Sequence, residues 1–240
     1  IPCNDEVASL LSSFNSMIAI QTKMRDDLIE AEKLKQQLSL NLLQQQVNPH
    51  FLYNTLDNIC ALAELDEKET LIQLVMNLSS FYRSSLSNGK MHISIGQELE
   101  ISRAYLEILQ IRYFHKFDFT ITCPEALKNY SCIKLLLQPI LENSIYHGIK
   151  GLDRHGILHI EAEDAGDCIR FTISDNGRGF SKEDYEKIWQ QDADHFGIKS
   201  IQQRILLYYG PGYGLSMESP QTGGCITVIT LPKQEGLPCH

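Results

Sequence analysis

The sequence of 240 residues predicts an α+β protein, with helices in its first half and an α/β sandwich in its second half. Three observations support this fold class. The first forty residues carry a heptad repeat, two amphipathic helical patterns then flank a short polar segment, and the hydrophobic period changes from helical to alternating at Phe117. We therefore expect three regions: a coiled-coil helix over 1–40, a helical hairpin over 41–114 and an α/β domain over 115–240.

The heptad repeat predicts a two-stranded parallel coiled coil and hence a homodimer. Polar Gln21 and Lys35 occupy a positions, where such residues specify register and the number of strands. A single amphipathic helix packed on its own domain remains an alternative. The a column is Val7, Phe14, Gln21, Leu28, Lys35 and Leu42, and the d column is Leu10, Met17, Met24, Ala31 and Leu38.

A histidine follows a proline in the segment 44–56, which reads QQQVNPHFLYNTL. Pro49 removes a backbone donor and disfavours α geometry at Asn48, so the helix should bend here. After the bend, an apolar face is expected at Leu52, Leu56, Ile59 and Ala63, with a polar face at His50, Asn54, Asp57 and Asn58. The pattern thus presents His50 to solvent or to a partner, although an incidental surface histidine at a helix start would look the same.

The hairpin continues after a polar break over 64–70. Apolar residues from Leu71 to Leu86 predict a second amphipathic helix, and two such hairpins would form a four-helix bundle. Ser94 and Gln97 form a possible capping box for a third helix that ends near Tyr113.

Strand and helix patterns alternate in the second half. Strands are expected over 117–121, 157–162, 169–173, 215–218 and 225–231, and helices over 135–147, 182–190 and 199–209. The sequence therefore predicts a layer of helices on a sheet.

Composition excludes several classes of function. A net charge of −9 argues against nonspecific binding to nucleic acid or to anionic membranes. No apolar run approaches the roughly 20 residues that span a bilayer. The seven cysteines are scattered without a CxxC pair, which favours reduced thiols in a cytosolic compartment and gives no sign of a zinc site.

Three segments of the α/β half carry groups suited to a nucleotide. Asn143 and His147 lie four residues apart on one predicted helix, and Asp175 follows a strand in the segment DNGRG (175–179). An aspartate can accept a hydrogen bond from an exocyclic amine, and glycines let the backbone approach a ligand closely. Gly197 opens a helix whose free N–H groups suit phosphate.

In this order and spacing, the segments resemble the N, G1 and G2 boxes of the GHKL (Bergerat-type) ATP-binding fold. Gly223-Gly224-Cys225 resembles the last glycine box of that fold. Together with the segment NPHFLYN (48–54), residues 40–232 resemble a sensor histidine kinase of the LytS/YesM type. The stretch from Asp5 to Met17 is similar to the end of a HAMP signal-relay module.

The resemblance implies ATP and Mg²⁺ as cofactors and His50 as the residue that accepts the γ-phosphoryl group. Asn54 would orient the ring or position water, Asn143 would hold Mg²⁺, and Asp175 would bind adenine N6. It implies further pocket residues, which are His147, Gly177, Gly179, Gly197, Ile198, Gly224 and Cys225.

The resemblance also implies partners and a location. The phosphoryl group would pass from His50 to an aspartate on the receiver domain of a response regulator. An upstream membrane segment would anchor the full-length protein in the cell membrane, with residues 1–240 on the cytoplasmic side.

Several positions depart from the family pattern. Phe51 stands where many histidine kinases carry an acid, and Tyr146, His195 and Cys225 replace a lysine, a glycine and a threonine. A non-catalytic dimeric relay is therefore an alternative function. An ATPase of the gyrase or Hsp90 type is disfavoured, because Pro139 occupies the position of the glutamate base.

Overall fold

The computed structural model describes residues 14, 17, 18, 20–27, 29, 49–86, 91–189 and 196–234. The chain forms two compact units, 1–49 and 50–240. Described residues of the first unit are helical, and Phe14, Met17 and Met24 of the heptad columns are exposed. Gln21 of the same columns is also exposed. The other heptad positions, most of the HAMP-like stretch, residues 30–48 before the predicted bend, and His195 lie outside the described residues.

Helices α1 (Pro49–Glu64) and α2 (Lys68–Leu86) form the predicted hairpin. The connection between them contains Asp66 in the left-handed region, at φ 56°.

The predicted apolar face of α1 is not the face that is buried within this chain, so this prediction is wrong. The buried residues are Phe51 and Thr55, whereas Leu56 is 43% exposed and Ala63 is also exposed. Burial shifts by one position because the large ring of Phe51 packs against the rest of the unit.

A small sheet and a long helix follow the hairpin. Strands β1 (His92–Ser94) and β3 (Ser131–Ile133) pair antiparallel, and sequence patterning did not predict either of them. Helix α3 (Ile95–Arg112) begins after Ser94, and both hydrogen bonds of the predicted capping box are present. The Gln97 N–H donates to Ser94 Oγ, and the Ser94 N–H donates to Gln97 Oε1.

The main sheet has five strands. They are β2 (Phe117–Thr122), β4 (Gly156–Asp164), β5 (Cys168–Asp175), β6 (Gly214–Glu218) and β7 (Cys225–Pro232), in the order β2-β4-β5-β7-β6. Only β2 and β4 pair in parallel; the other neighbours are antiparallel. Asp175 ends a strand that has neighbours on both sides, so its backbone is held firmly.

Helices α3, α4 (Gln138–Asn143), α5 (Lys182–Trp189) and α6 (Phe196–Tyr209) complete the domain. A π-helical turn, Ser144–Ile149, continues directly from α4. Alternate strand residues are buried and exposed, so one face of the sheet packs on the helices and the other meets solvent. The α+β class and the α/β sandwich of the second half are confirmed. Among the described residues, no helix is both long enough and apolar enough to cross a bilayer.

Candidate active site

A cavity of about 610 Å³ opens between α4, the π-helical turn and the loop that follows β5. Its volume is in the range of small-molecule sites. Its lining comprises Asn143, Ser144, His147, Gly148, Asp175, Arg178, Gly179, Phe180, Ser181, Asp184 and Cys225.

Asp175 supplies a buried carboxylate at the inner end of this cavity. Its Oδ1 accepts a hydrogen bond from the Gly177 N–H at 2.9 Å, and its Oδ2 is buried with no partner of hydrogen-bond geometry among the described residues. Burial raises the pKa of Asp175 above its ordinary value, while the nearby hydroxyl of Ser144, the Gly177 hydrogen bond and the nearby backbone N–H of Cys225 act in the opposite direction. A buried acceptor without a partner is costly, and a ligand donor at Oδ2 would remove that cost.

The glycines around Asp175 let backbone segments approach closely. A Cβ on Gly177 would lie 2.7 Å from the Gly148 Cα, and a Cβ on Gly224 would collide with the Asp175 carbonyl oxygen at 2.1 Å. Gly224 also has a φ of +87°, which L side chains rarely adopt. Gly177 and Gly224 therefore shape the floor of the cavity without lining it.

Asn176, the second residue of the DNGRG segment, has a structural role. Its Oδ1 accepts from the Ile157 N–H at 2.8 Å, and its Nδ2 donates to the His155 carbonyl at 3.1 Å. The amide thus ties the loop after β5 to the start of β4.

The π-helical turn shapes the wall opposite the loop. Asn143 ends α4 and His147 lies within the turn, and both line the cavity. Two further contacts link this wall to the loop: the Arg178 N–H donates to the Gly148 carbonyl at 3.2 Å, and Gly148 faces the Asp175 carboxylate. Such π-helical turns often occur at functional sites.

Two buried charged side chains, Glu98 and Arg204, hold the segment that precedes α4. The Glu98 carboxylate is fully buried and accepts from the N–H groups of Leu135 and Leu137 at 2.8 and 2.9 Å. Arg204 on α6 donates to the carbonyl oxygens of Lys134 and Leu135. Helix α4 has no cap from its own sequence neighbours, so a carboxylate from α3 supplies it. Because Glu98 and Arg204 are far in sequence from residues 134–137, no local sequence pattern predicts this role.

The outer end of the cavity is more polar and more exposed. Arg178, Ser181 and Asp184 line it, and all three side chains are exposed. Ser181 and Asp184 hydrogen-bond to each other at the start of α5, with the Ser181 hydroxyl donating at 2.8 Å. Sequence reasoning did not select these residues, although Arg178 lies inside the motif that it did select.

Tyr146, at the position of the expected lysine, belongs to an aromatic and cationic cluster beside the cavity. Arg112 Nη1 donates to its hydroxyl at 2.9 Å, and Lys150 Nζ lies 5.7 Å from its ring centroid. Burial, with Tyr113 nearby, raises the pKa of Tyr146 to about 12. Two cations therefore lie close to the tyrosine that replaces the lysine.

The structure brings five of the predicted pocket residues to the cavity: Asn143, His147, Asp175, Gly179 and Cys225. Gly179 has a φ of +71°, and a Cβ there would meet Ser219 Oγ at 2.3 Å. Burial raises the pKa of the Cys225 thiol to about 11, so it is neutral near pH 7. Gly197 and Ile198 are not among the described lining residues; Ile198 is buried and Gly197 lies at the start of α6.

His50 lies in the first turn of α1 and is exposed, as predicted. Asn54, one turn further on, is half-buried, and its Nδ2 is buried with no hydrogen-bond partner among the described residues.

Comparison with known families agrees with these two regions. The histidine kinase family model matches residues 38–117, and the model of the histidine kinase-, DNA gyrase B- and HSP90-like ATPases matches residues 130–235. The chain belongs to the histidine kinase family. The first match contains His50, and the second contains the cavity.

Curated relatives in this family are sensor histidine kinases. YesM of Bacillus subtilis is 31% identical over 95% of this chain, and LytS of Staphylococcus haemolyticus is 27% identical over 91%. BtsS of Escherichia coli is 33% identical over 75% of this chain. The chain spans 39%, 37% and 31% of the lengths of these three relatives. The resemblance to the LytS/YesM type of histidine kinase is therefore confirmed.

Solved histidine kinase structures also align with the chain. The catalytic domain of ThkA has a TM-score of 0.48 at 16% identity, over 60% of this chain and 97% of that chain. The histidine kinase domain of a blue-light activated kinase from Erythrobacter litoralis has a TM-score of 0.45 at 18% identity, over 82% of this chain and 96% of that chain.

Proposed function

We propose that the chain is the cytoplasmic kinase region of a two-component sensor, and that it transfers the γ-phosphoryl group of ATP to His50. The observation that carries this proposal is the buried, unpartnered Oδ2 of Asp175 inside a cavity floored by glycines. This oxygen suits the exocyclic amine of adenine, which can only donate.

The imidazole of His50 is exposed on the first turn of α1, where a nucleotide phosphate can reach it. One ring nitrogen attacks the γ-phosphorus, the bond from that phosphorus to the β,γ-bridging oxygen breaks, and ADP leaves. The proton on the other ring nitrogen is released to solvent. Neutral imidazole is a competent nucleophile near pH 7, so the reaction depends mainly on alignment and charge neutralisation.

Asn143 is the proposed protein ligand of Mg²⁺. Among the described residues, no group of three His, Cys, Asp or Glu side chains could hold a metal ion. Mg²⁺ commonly takes one or two protein oxygens, with phosphate oxygens and water completing its shell, so a single amide at the cavity fits this ion. When bound, the ion neutralises phosphate charge.

We further propose a homodimer built from the hairpins. The outer side of α1 and α2 exposes large apolar residues, including Leu56, Ile72 and Met76 at 43%, 56% and 66% exposure. A second hairpin packed against this side would bury them in a four-helix bundle.

The family resemblance adds two finer proposals. The phosphoryl group is passed to an aspartate of a response regulator, and the full-length protein is held in the cell membrane by a segment before residue 1. The sequence pattern that is similar to the end of a HAMP module supports the second proposal.

A non-catalytic relay is the second candidate. The lysine expected at Tyr146 is replaced, and the cations Arg112 and Lys150 lie against aromatic rings. Such a protein would keep the fold and dimerise, but it would bind nucleotide weakly.

Incubation with γ-labelled ATP and Mg²⁺ separates the two candidates. The kinase proposal predicts label that is stable in alkali, labile in acid and lost in His50→Gln. The relay predicts no label in the unaltered chain and only weak nucleotide binding by calorimetry.

A further inference from the structure

Phe51, the residue directly after His50, is the most buried side chain of the first turn of α1. Its exposed fraction is 2%, whereas the neighbouring His50 is exposed. Its ring centroid lies 5.4 Å from that of Phe81 on α2 and 5.0 Å from that of Tyr105 on α3. Phe81 and Tyr105 also contact each other at 5.8 Å, so the three rings form a closed cluster, which we call the aromatic anchor.

The aromatic anchor joins the hairpin to the α/β domain. Phe81 and Tyr105 are 3% and 1% exposed, and α2 packs along α3. Aromatic contacts at these separations favour particular ring orientations, and they add directional preference to the burial of apolar area. Thr55 Oγ1 donates to the Phe51 carbonyl at 2.7 Å, which fixes the backbone on which the ring is mounted.

Beyond the anchor lies the wall of the nucleotide cavity. The Tyr105 hydroxyl is buried without a hydrogen-bond partner among the described residues. Burial raises the pKa of Tyr105 well above its ordinary value. Helix α3, which carries Tyr105, also packs against α4. Asn143 is the last residue of α4. Packing thus continues from Phe51, next to His50, through α3 to the helix that carries the proposed metal ligand.

We propose that Phe51 is a positioning residue: by locking into the aromatic anchor, it fixes the first turn of α1, and hence the His50 imidazole, relative to the nucleotide domain. The proposal rests on the proposed role of His50 as phosphoacceptor. Where many histidine kinases place an acid after the histidine, this chain places an apolar ring that acts through packing rather than through charge.

Phosphoryl transfer is sensitive to such placement. A displacement of about 1 Å between reacting groups can lower a rate by roughly 100-fold. Loss of the ring should therefore slow the transfer step, while nucleotide binding, which depends on the cavity, should stay unchanged.

The test compares two phosphoryl donors on Phe51→Leu, which keeps an apolar side chain but removes the ring. With ATP and Mg²⁺, single-turnover phosphorylation of His50 should fall by roughly 10- to 100-fold, with the Kd for ATP within about twofold of the unaltered chain. With phosphoramidate, a small donor that needs no alignment with the cavity, the rate at His50 should be unchanged because the imidazole stays exposed.

Matched variants make the comparison decisive. Phe171→Leu removes a buried ring from the sheet core, far in sequence from His50, and should leave the ratio of the two donor rates unchanged. If Phe51→Leu does not fold at the assay temperature, Phe51→Met, which is closer to phenylalanine in length, serves the same test.

Equal losses with both donors, an unchanged ATP-dependent rate, an increased rate, or a weaker Kd for ATP would each overturn the positioning role. Failure of the proposed function looks different, because the unaltered chain would then take no label from ATP, or label would persist in His50→Gln.

Discussion

The helical hairpin and the α/β domain bury their apolar residues to different extents. In the domain, the inward residues of the five strands and of α3, α4 and α6 form a continuous core. Among the hairpin residues whose burial is described, only Phe51, Leu74 and Phe81 are fully buried apolar residues. The large apolar residues exposed between positions 49 and 86 are Tyr53, Leu56, Leu65, Ile72, Val75 and Met76.

Two buried charged side chains of the domain and three side-chain amides of the hairpin differ in a similar way. In the domain, buried Glu98 and Arg204 bond to backbone groups more than thirty residues away in sequence. In the hairpin, the Nδ2 atoms of Asn54, Asn58 and Asn77 are buried without hydrogen-bond partners among the described residues. The domain therefore builds its site from its own chain, whereas the hairpin has surfaces and donors that a second copy can satisfy.

The largest expected effect comes from removing the buried carboxylate that holds the segment before α4. Glu98→Ala leaves the N–H groups of Leu135 and Leu137 without their acceptor and removes the buried negative charge that lowers the cost of burying Arg204, so it should lower the free energy of unfolding by roughly 3–5 kcal/mol. Urea denaturation followed by circular dichroism measures this change. Glu100→Ala, an exposed glutamate on the same helix, is the matched control and should change stability by less than about 0.5 kcal/mol. A similar small change in both variants would contradict the proposal that Glu98 holds the segment before α4.

Ile72→Glu tests whether the exposed apolar residues of the hairpin form a dimer interface. Loss of one buried apolar side chain from each copy should weaken a dimer by roughly 3 kcal/mol in total, which is about 100-fold in Kd. Sedimentation equilibrium measures the dimer Kd. Ile157→Glu replaces an isoleucine of comparable exposure, 42%, on the outer face of the sheet, and it should leave the Kd unchanged. Monomeric unaltered protein, or equal weakening in both variants, would remove the proposed bundle.

Asp175→Ala tests whether the cavity of the α/β domain binds ATP through this carboxylate. Asp175→Ala removes a hydrogen bond between a charged acceptor and the ligand, and it should weaken ATP binding by roughly 1.5–3 kcal/mol, at least about tenfold in Kd. Isothermal titration calorimetry provides the measurement. Asp184→Asn alters the exposed carboxylate that lines the same cavity and should change the Kd much less. Unchanged affinity in Asp175→Ala would place adenine elsewhere.

Nucleotide affinity should also depend on pH through Asp175. Burial raises the pKa of this carboxyl, and a donor from adenine stabilises its charged form, so its pKa is lower in the complex than in the free protein. Affinity should be constant above the raised pKa of the free protein and fall as pH decreases through it, by at most about tenfold per pH unit. Asp175→Asn should remove this part of the pH dependence; an equally steep fall in that variant would assign it to another group.

The smallest effect is expected where the two regions meet. Tyr105→Phe keeps the ring in the aromatic anchor and removes a buried hydroxyl that has no described partner. The free energy of unfolding should stay the same or rise by up to about 1 kcal/mol, because no hydrogen bond is lost. Thermal melts can resolve this change. A clear loss of stability would mean that the hydroxyl has a partner.

Local patterns predicted much of this fold. The capping box at Ser94 predicted the start of α3, and alternating apolar residues predicted the five strands of the main sheet, because both signals lie within a few residues of chain. The two short strands β1 and β3 were missed, since three residues are too few to show a period.

The candidate site was predictable where a motif is compact and unpredictable where it depends on distant contacts. Asp175 and Gly179 come from one short segment, and both line the cavity. The cap that Glu98 provides for α4 spans 37 and 39 positions in the sequence, to Leu135 and Leu137. The buried face of α1 was also predicted wrongly, because the partners of Phe51 lie on α2 and α3, and helical periodicity alone does not reveal them.

Locating the transferred phosphoryl group by tandem mass spectrometry under alkaline conditions tests the central claim most directly. After incubation with ATP and Mg²⁺, the account predicts a single phosphoryl group on His50 in the unaltered chain. Asp175→Ala should carry about fivefold less in the same time at an ATP concentration near the Kd of the unaltered chain, because tenfold weaker binding lowers its occupancy by about that factor. A phosphoryl group on another residue, or an unmodified chain that nevertheless binds ATP, would contradict it.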